Sequence, residues 1–160
     1  MTHDKPSAPS ALLKLWNTLY PKPGGRWLFN RLLAWKVPYS ASINADVLLL
    51  QAGHCQTRLP DRRKVRNHVD SIHAIALVNL GEMTSGLALL SGLQANARGI
   101  VVSITTDYFK KARGTLSAQC RCDIPRVSGD MDYRVTTDIH DRAGACVART
   151  TTTWRLGLSD

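Results

Sequence analysis

Between Arg66 and Leu93 the chain reads RNHVDSIHAIALVNLGEMTSGLALLSGL, and this stretch restricts the fold more than any other. From Asn67 onward it holds no Pro, Lys or Arg, and its second half is apolar almost without interruption. The spacing predicts a helix from about Ser71 to Leu90, roughly 30 Å long at about 1.5 Å of rise per residue. Its apolar residues (Ile72, Ile75, Leu77, Val78, Leu80, Met83, Leu87 and Leu89) lie all round the helix. A helix without a polar stripe is one that other structure surrounds. Gly81, Gly86 and Gly92 supply points of close approach for whatever wraps it. In the middle stands Glu82, the one glutamate of the chain. An ionised carboxylate in such surroundings costs several kcal/mol unless something pairs with it or uses it. Buried acids of this kind cluster at functional sites.

The rest of the chain divides around that helix. From Pro9 to Tyr20 the pattern PSALLKLWNTLY fits a short amphipathic helix with Ser10 as N-cap. Pro21-Lys-Pro-Gly-Gly25 ends it, and a second apolar and basic helix is expected from Arg26 to Lys36. Three of the four tryptophans fall in this pair. Packing against the main body is the plainer role for them. Lining an apolar ligand channel, or lying on a membrane surface, is the sharper one. After Val37-Pro38 the period shifts towards two, and Ala45–Gln51 and His54–Leu59 read as strands joined at Gly53. Beyond the long helix, Arg98–Phe109, Thr115–Ile124, Met131–His140 and Ala145–Leu156 read as four more strands in a meander. The expected whole is an α+β fold, a curled antiparallel sheet of about six strands around one long helix. Residues 1–36 form an N-terminal helical extension and residues 37–160 the main domain.

Charge and cysteine bound the function. The net charge of +9 is concentrated in residues 1–66, which hold 11 Lys and Arg against Asp4, Asp46 and Asp61. A basic surface suits phosphates, an acidic carrier protein or an anionic membrane, although cations also keep an apolar region in solution. No helix-turn-helix, zinc-finger or aromatic-interleaved basic pattern points to nucleic acid. Cys120-x-Cys122 has no second closely spaced pair to complete a zinc site, so reduced thiols are expected for all four cysteines. The polar start MTHDKPSAPS lacks a signal-peptide pattern, and no uninterrupted apolar run reaches membrane-spanning length. A cytoplasmic location is the default expectation.

A long helix after the first strands, wrapped by a meandering sheet, resembles the hotdog fold of acyl-CoA thioesterases and dehydratases. Thioesterases of the phenylacetate-pathway type carry an Asn, then His-Gly-Gly at the helix start, then an Asp or Glu about two turns into the helix. Asn67, His73 and Glu82 fall at similar spacings. The chain looks especially like an uncharacterised bacterial branch reading Asn-His-x-x-Ser-x-His-Ala before a helical Gly-Glu. The resemblance implies that the helix-start N–H of Ala74 faces a developing oxyanion and that Glu82 is general base or nucleophile. It implies that Asn67 positions water or thioester and that His73 braces the loop. It implies a homodimer, or a homotetramer built from dimers, with Glu82 of one subunit facing Asn67 and Ala74 of another. Lys110, Lys111 and Arg113 fall in a turn near the CoA phosphates of the resembling enzymes, and Arg62–Arg66 is a second basic run. The family's Gly-Gly is Ala74-Ile75 here, which narrows the approach to the backbone. A family Ser or Thr on the following strand falls near Val101, with Ser103 and Thr105 as neighbours.

The expected function is therefore hydrolysis of a medium- or long-chain acyl thioester of CoA or of acyl-carrier protein. No cofactor is expected beyond the CoA moiety of the substrate. The alternative is a non-catalytic acyl-CoA-binding or regulatory hotdog protein. A third reading is a membrane-peripheral protein anchored through residues 1–36.

Overall fold

The computed structural model describes residues 10–159. The polar start up to Pro9, with the first residue of the first expected helix, lies outside them. Helix α1 (Ala11–Leu19) is capped as expected: the Ser10 hydroxyl accepts from the Leu13 N–H at 3.2 Å. Helix α2 spans Gly25–Lys36, and a short α3 (Pro38–Ala41) follows where extended chain was expected. Pro38 opens α3 at the one helical position that tolerates its missing N–H. Strands β1 (Asp46–Gln51) and β2 (His54–Leu59) form a hairpin, and one 3-10 turn (Arg63–Val65) lies in the basic connection.

The long helix α4 runs Ala74–Gly92, starting three residues later and ending two later than its pattern suggests. Ser71 and Ile72 are held elsewhere. The Ile72 N–H donates to the Ala112 carbonyl at 2.7 Å, and the Ser71 hydroxyl donates to the same oxygen at 3.0 Å. Strand β3 (Ala97–Tyr108) follows, then β4 (Leu116–Arg121), β5 (Met131–His140) and β6 (Cys146–Leu158). All six form one antiparallel sheet in the order β1-β2-β4-β5-β6-β3. The chain thus crosses along α4 from one sheet edge to the other, and the meander fills the middle.

Helix α4 touches every strand of the sheet. Leu80, Ala88 and Leu89 are fully buried against Leu59, Leu116, Ile139 and Leu156. At full burial each of the leucines and the isoleucine contributes about 1.5–3 kcal/mol. Several buried hydroxyls pair inside this core: Thr57 and Thr84 share a hydrogen bond of 2.7 Å, and Thr137 donates to the Gly81 carbonyl at 3.1 Å, whereas the buried Thr152 hydroxyl has no partner among the described residues. By length and composition α4 could cross a membrane, but the protein's own sheet buries most of it. The N-terminal helices join the same core through Leu13, Trp16 and Phe29. Cys55 and Cys120 are buried and Cys122 and Cys146 half-buried, all as free thiols. Among the described residues no cluster of His, Cys, Asp or Glu could hold a metal ion.

Candidate active site

The turn before α4 is built by Asn67. Its side-chain oxygen accepts from the Val69 and Ser71 N–H groups, each at 3.1 Å, while its own N–H donates to the Ser71 carbonyl at 2.8 Å. This folds Asn67–Ser71 into a tight loop with Asp70 at a positive φ of 52°. An Asn accepts through oxygen and donates through nitrogen. With the oxygen committed to the loop, the Nδ2 hydrogens make no hydrogen bond among the described residues.

His73 is the N-cap of α4, and its Nδ1 accepts from the Ile75 N–H at 3.1 Å. The Ala76 and Leu77 N–H groups turn back to the His73 carbonyl. The Ala74 N–H has no hydrogen-bond partner among the described residues, so one donor at the positive end of the helix stays open.

Asn67, Ala74, Lys110 and Lys111 line one cleft of about 370 Å³, together with Leu77, Tyr108 and Phe109. Tyr108 was not legible as a site residue. Its hydroxyl donates to the Ala74 carbonyl at 3.1 Å and ties the end of β3 to the helix start. Desolvation pushes its pKa up, which keeps the phenol protonated as a donor.

The cations expected for phosphate contact have differing surroundings. Lys110 is paired with Asp141 at 2.7 Å, which holds that carboxyl below its usual range. Arg113 reaches the Val69 carbonyl at 3.4 Å, outside the lining of the cleft. Lys111 is exposed at the cleft wall. In the second basic run, Arg62 binds the Ile43 and Asn44 carbonyls and Arg66 pairs with Asp61 at 2.7 Å.

Glu82 does not line this cleft. It is half-buried on α4, and its carboxylate makes no hydrogen bond among the described residues. Desolvation raises its pKa above the ordinary 4.5. Its Oε1 lies 4.0 Å from where a Cβ on Gly86 would stand, and the same Cβ would lie 3.0 Å from the ring of Trp154. The acid therefore sits on the side of α4 that meets β6, next to the edge strand β3. The Trp154 indole N–H is buried without a partner on that same side. Ser103 and Thr105 are exposed on β3, after a bulge between Val101 and Ser103.

A second cleft of about 320 Å³ opens between α2, α3, β1 and α4, walled by Trp27, Leu33, Ala34 and Val37, with Met83 among its lining.

Similar proteins support the architecture. A family model described as a domain of unknown function, DUF4442, matches residues 25–156. A crystal structure from a genomics programme superposes with a TM-score of 0.79 at 24% identity, covering 92% of this chain and 99% of that one. A Pseudomonas aeruginosa protein of unknown function, described as a probable thioesterase, gives a TM-score of 0.74 at 23% identity over 82% and 95% of the two chains. A thioesterase from Haemophilus influenzae gives 0.71 at 13% identity over 88% and 95%. No curated protein sequence matches the chain. The fold is the hotdog fold.

Proposed function

The chain belongs to the DUF4442 family, and from that premise we propose that it is a thioester hydrolase acting on acyl-CoA or an acyl-carrier protein. The observation that carries the reading is Glu82, a half-buried carboxylate without a hydrogen-bond partner on the central helix of a hotdog fold. Structures of the same fold belong to proteins described as thioesterases. Glu82 ionises to act as general base and takes a proton from water, whose oxygen adds to the thioester carbonyl carbon. The carbonyl oxygen becomes an oxyanion and accepts from the open Ala74 N–H. The Nδ2 of Asn67, at the same cleft, orients the carbonyl or the water. Collapse of the intermediate breaks the C–S bond, and the thiolate takes the proton from Glu82.

The two halves of this chemistry sit apart within one chain. Eight residues of helix separate Ala74 from Glu82, a rise of about 12 Å. A homodimer resolves this by placing Glu82 of one subunit against Asn67 and Ala74 of the other. The long exposed edge of β3, the strand beside β6, supports pairing at that edge.

Hydrolysis of an acyl-CoA panel by the wild type and by Glu82→Gln tests the proposal. The expected result is turnover that falls at least ~100-fold in the variant. Equal hydrolysis by both proteins removes Glu82 from the mechanism, and binding without hydrolysis in both favours a non-catalytic acyl-CoA sensor.

A further inference from the structure

Helix α2 carries apolar residues on both sides, and only one side is used by the core. Phe29 is fully buried and Leu33 half-buried. Asn30 is fixed to β1, its Oδ1 accepting from the Val47 N–H at 2.7 Å. At about 100° per residue, Trp27, Leu28, Leu32 and Trp35 fall on the remaining arc, with Arg31 between Trp27 and Trp35. Trp27 is 67% exposed and Trp35 82%, and Tyr39 on the adjoining α3 is 76% exposed. Leu28, Leu32 and Val37 are exposed beside them.

The charge on these helices has one sign, and the carboxylate that borders them, Asp46, is paired with Arg58 at 2.8 Å. Lys14, Lys22, Arg26, Arg31 and Lys36 are all exposed, and residues 10–45 contain no Asp or Glu. Elsewhere Arg58, Arg66, Lys110, Arg149 and Arg155 each pair with an aspartate. Among the described residues none of the five N-terminal cations forms an ion pair. The Arg31 guanidinium lies over the Trp27 ring, 5.9 Å from its centroid.

We infer that α2 and α3 form a docking face for an anionic phospholipid bilayer. The charge complementarity selects the partner: five cations without counter-ions of their own meet phosphate headgroups. The aromatic content selects a bilayer over an acidic protein. Trp and Tyr place an apolar ring body and a polar tip across the boundary between acyl chains and headgroups. An acidic carrier protein would engage the cations but leave the Trp and Leu arc in water. The helix lies in the surface plane, with Trp27, Leu28, Leu32 and Trp35 pointing inward and Arg31 and Lys36 at headgroup level. This inference does not depend on the hydrolase reading, since its test reads binding alone.

The test is flotation of the full chain with vesicles of phosphatidylcholine alone and with added phosphatidylglycerol. Binding is expected with the anionic vesicles only and should weaken as salt rises. Trp16 and Trp154 are buried, so a blue shift on binding reports on Trp27 and Trp35. The Trp27→Ser/Trp35→Ser variant changes only exposed side chains, and circular dichroism checks that it folds. Its partitioning should fall at least about tenfold, while Arg31→Gln/Lys36→Gln should lose the preference for phosphatidylglycerol. Failure to float with anionic vesicles, or equal flotation by the tryptophan variant, overturns the inference. A change of oligomeric mass in that variant overturns it too, by making the face a contact between copies of this chain.

Discussion

At the scale of single residues, Glu82 and Asn67 carry predictions with opposite stability signatures. Desolvation raises the Glu82 pKa, so the folded protein favours the neutral acid. Above the ordinary 4.5 the unfolded chain ionises more readily than the folded one, and stability is lost as pH rises through the folded-state value. Glu82→Gln should therefore melt at a higher temperature than wild type at neutral pH. That difference should shrink to nothing as pH falls below 4.5, which thermal melts across the range would show. With Glu82 as the proposed base, activity should follow the same titration in the other direction, since a base works only when ionised. Asn67 is stabilising rather than costly, because its oxygen holds the loop. Asn67→Asp keeps that acceptor and removes the Nδ2 hydrogens. Its melting temperature should stay within a few degrees of wild type while kcat falls on the order of 10²–10³, as loss of one transition-state donor does. A matching loss of stability in Asn67→Asp would reduce the residue to a turn former.

At the scale of elements, the packing of α4 on β6 depends on the missing side chain at Gly81. A Cβ there would overlap the Thr150 Oγ1 and Cβ. Ala is the better helix former by about 1 kcal/mol, but forcing the helix off the sheet costs about 1–3 kcal/mol. Gly81→Ala should destabilise, and Thr150→Ala in the same chain should recover part of the loss, as a double-mutant cycle by urea unfolding would measure. Periodicity located the elements well where local pattern and packing agree: His54–Leu59 and Met131–His140 match their strands to the residue. It failed where distant groups decide. Ser71 and Ile72 carry helical spacing but answer to the Ala112 carbonyl, forty or so positions on. The four-residue α3 is too short to show a period. The site shows the same division. The lone acid was readable from local sequence, whereas His73, expected inside a helix from Ser71, is its N-cap. The engagement of Lys110 by Asp141 and the tie from Tyr108 to Ala74 join residues thirty or more positions apart, and no spacing announces them.

At the scale of the whole molecule, the distance between the open Ala74 N–H and Glu82 makes a composite site a strong and testable claim. The twelve-residue strand β3 is an edge of the sheet with Ile100, Val102 and Ile104 exposed along it. Exposed apolar edges of this length invite another strand. A two-fold interface is self-complementary, so pairing there gives two equivalent sites, each drawing its base from one subunit and its helix start from the other. Glu82→Gln and Asn67→Asp then disable different halves of each site. Each homodimer alone should be nearly inactive, because every site lacks one group. After mixing and subunit exchange, half of the dimers pair the two variants. One of the two sites in such a hybrid draws both mutations and the other draws neither. Activity should therefore return to roughly a quarter of the wild-type value under random exchange. A site confined to one chain gives no recovery, since every chain in the mixture still carries one lesion. Monomers by sedimentation would remove the basis for exchange and the composite site with it. Introducing charge at the edge, as Ile100→Lys/Ile104→Lys, should abolish both the dimer and the recovery while leaving the α4 core intact, because these side chains are exposed.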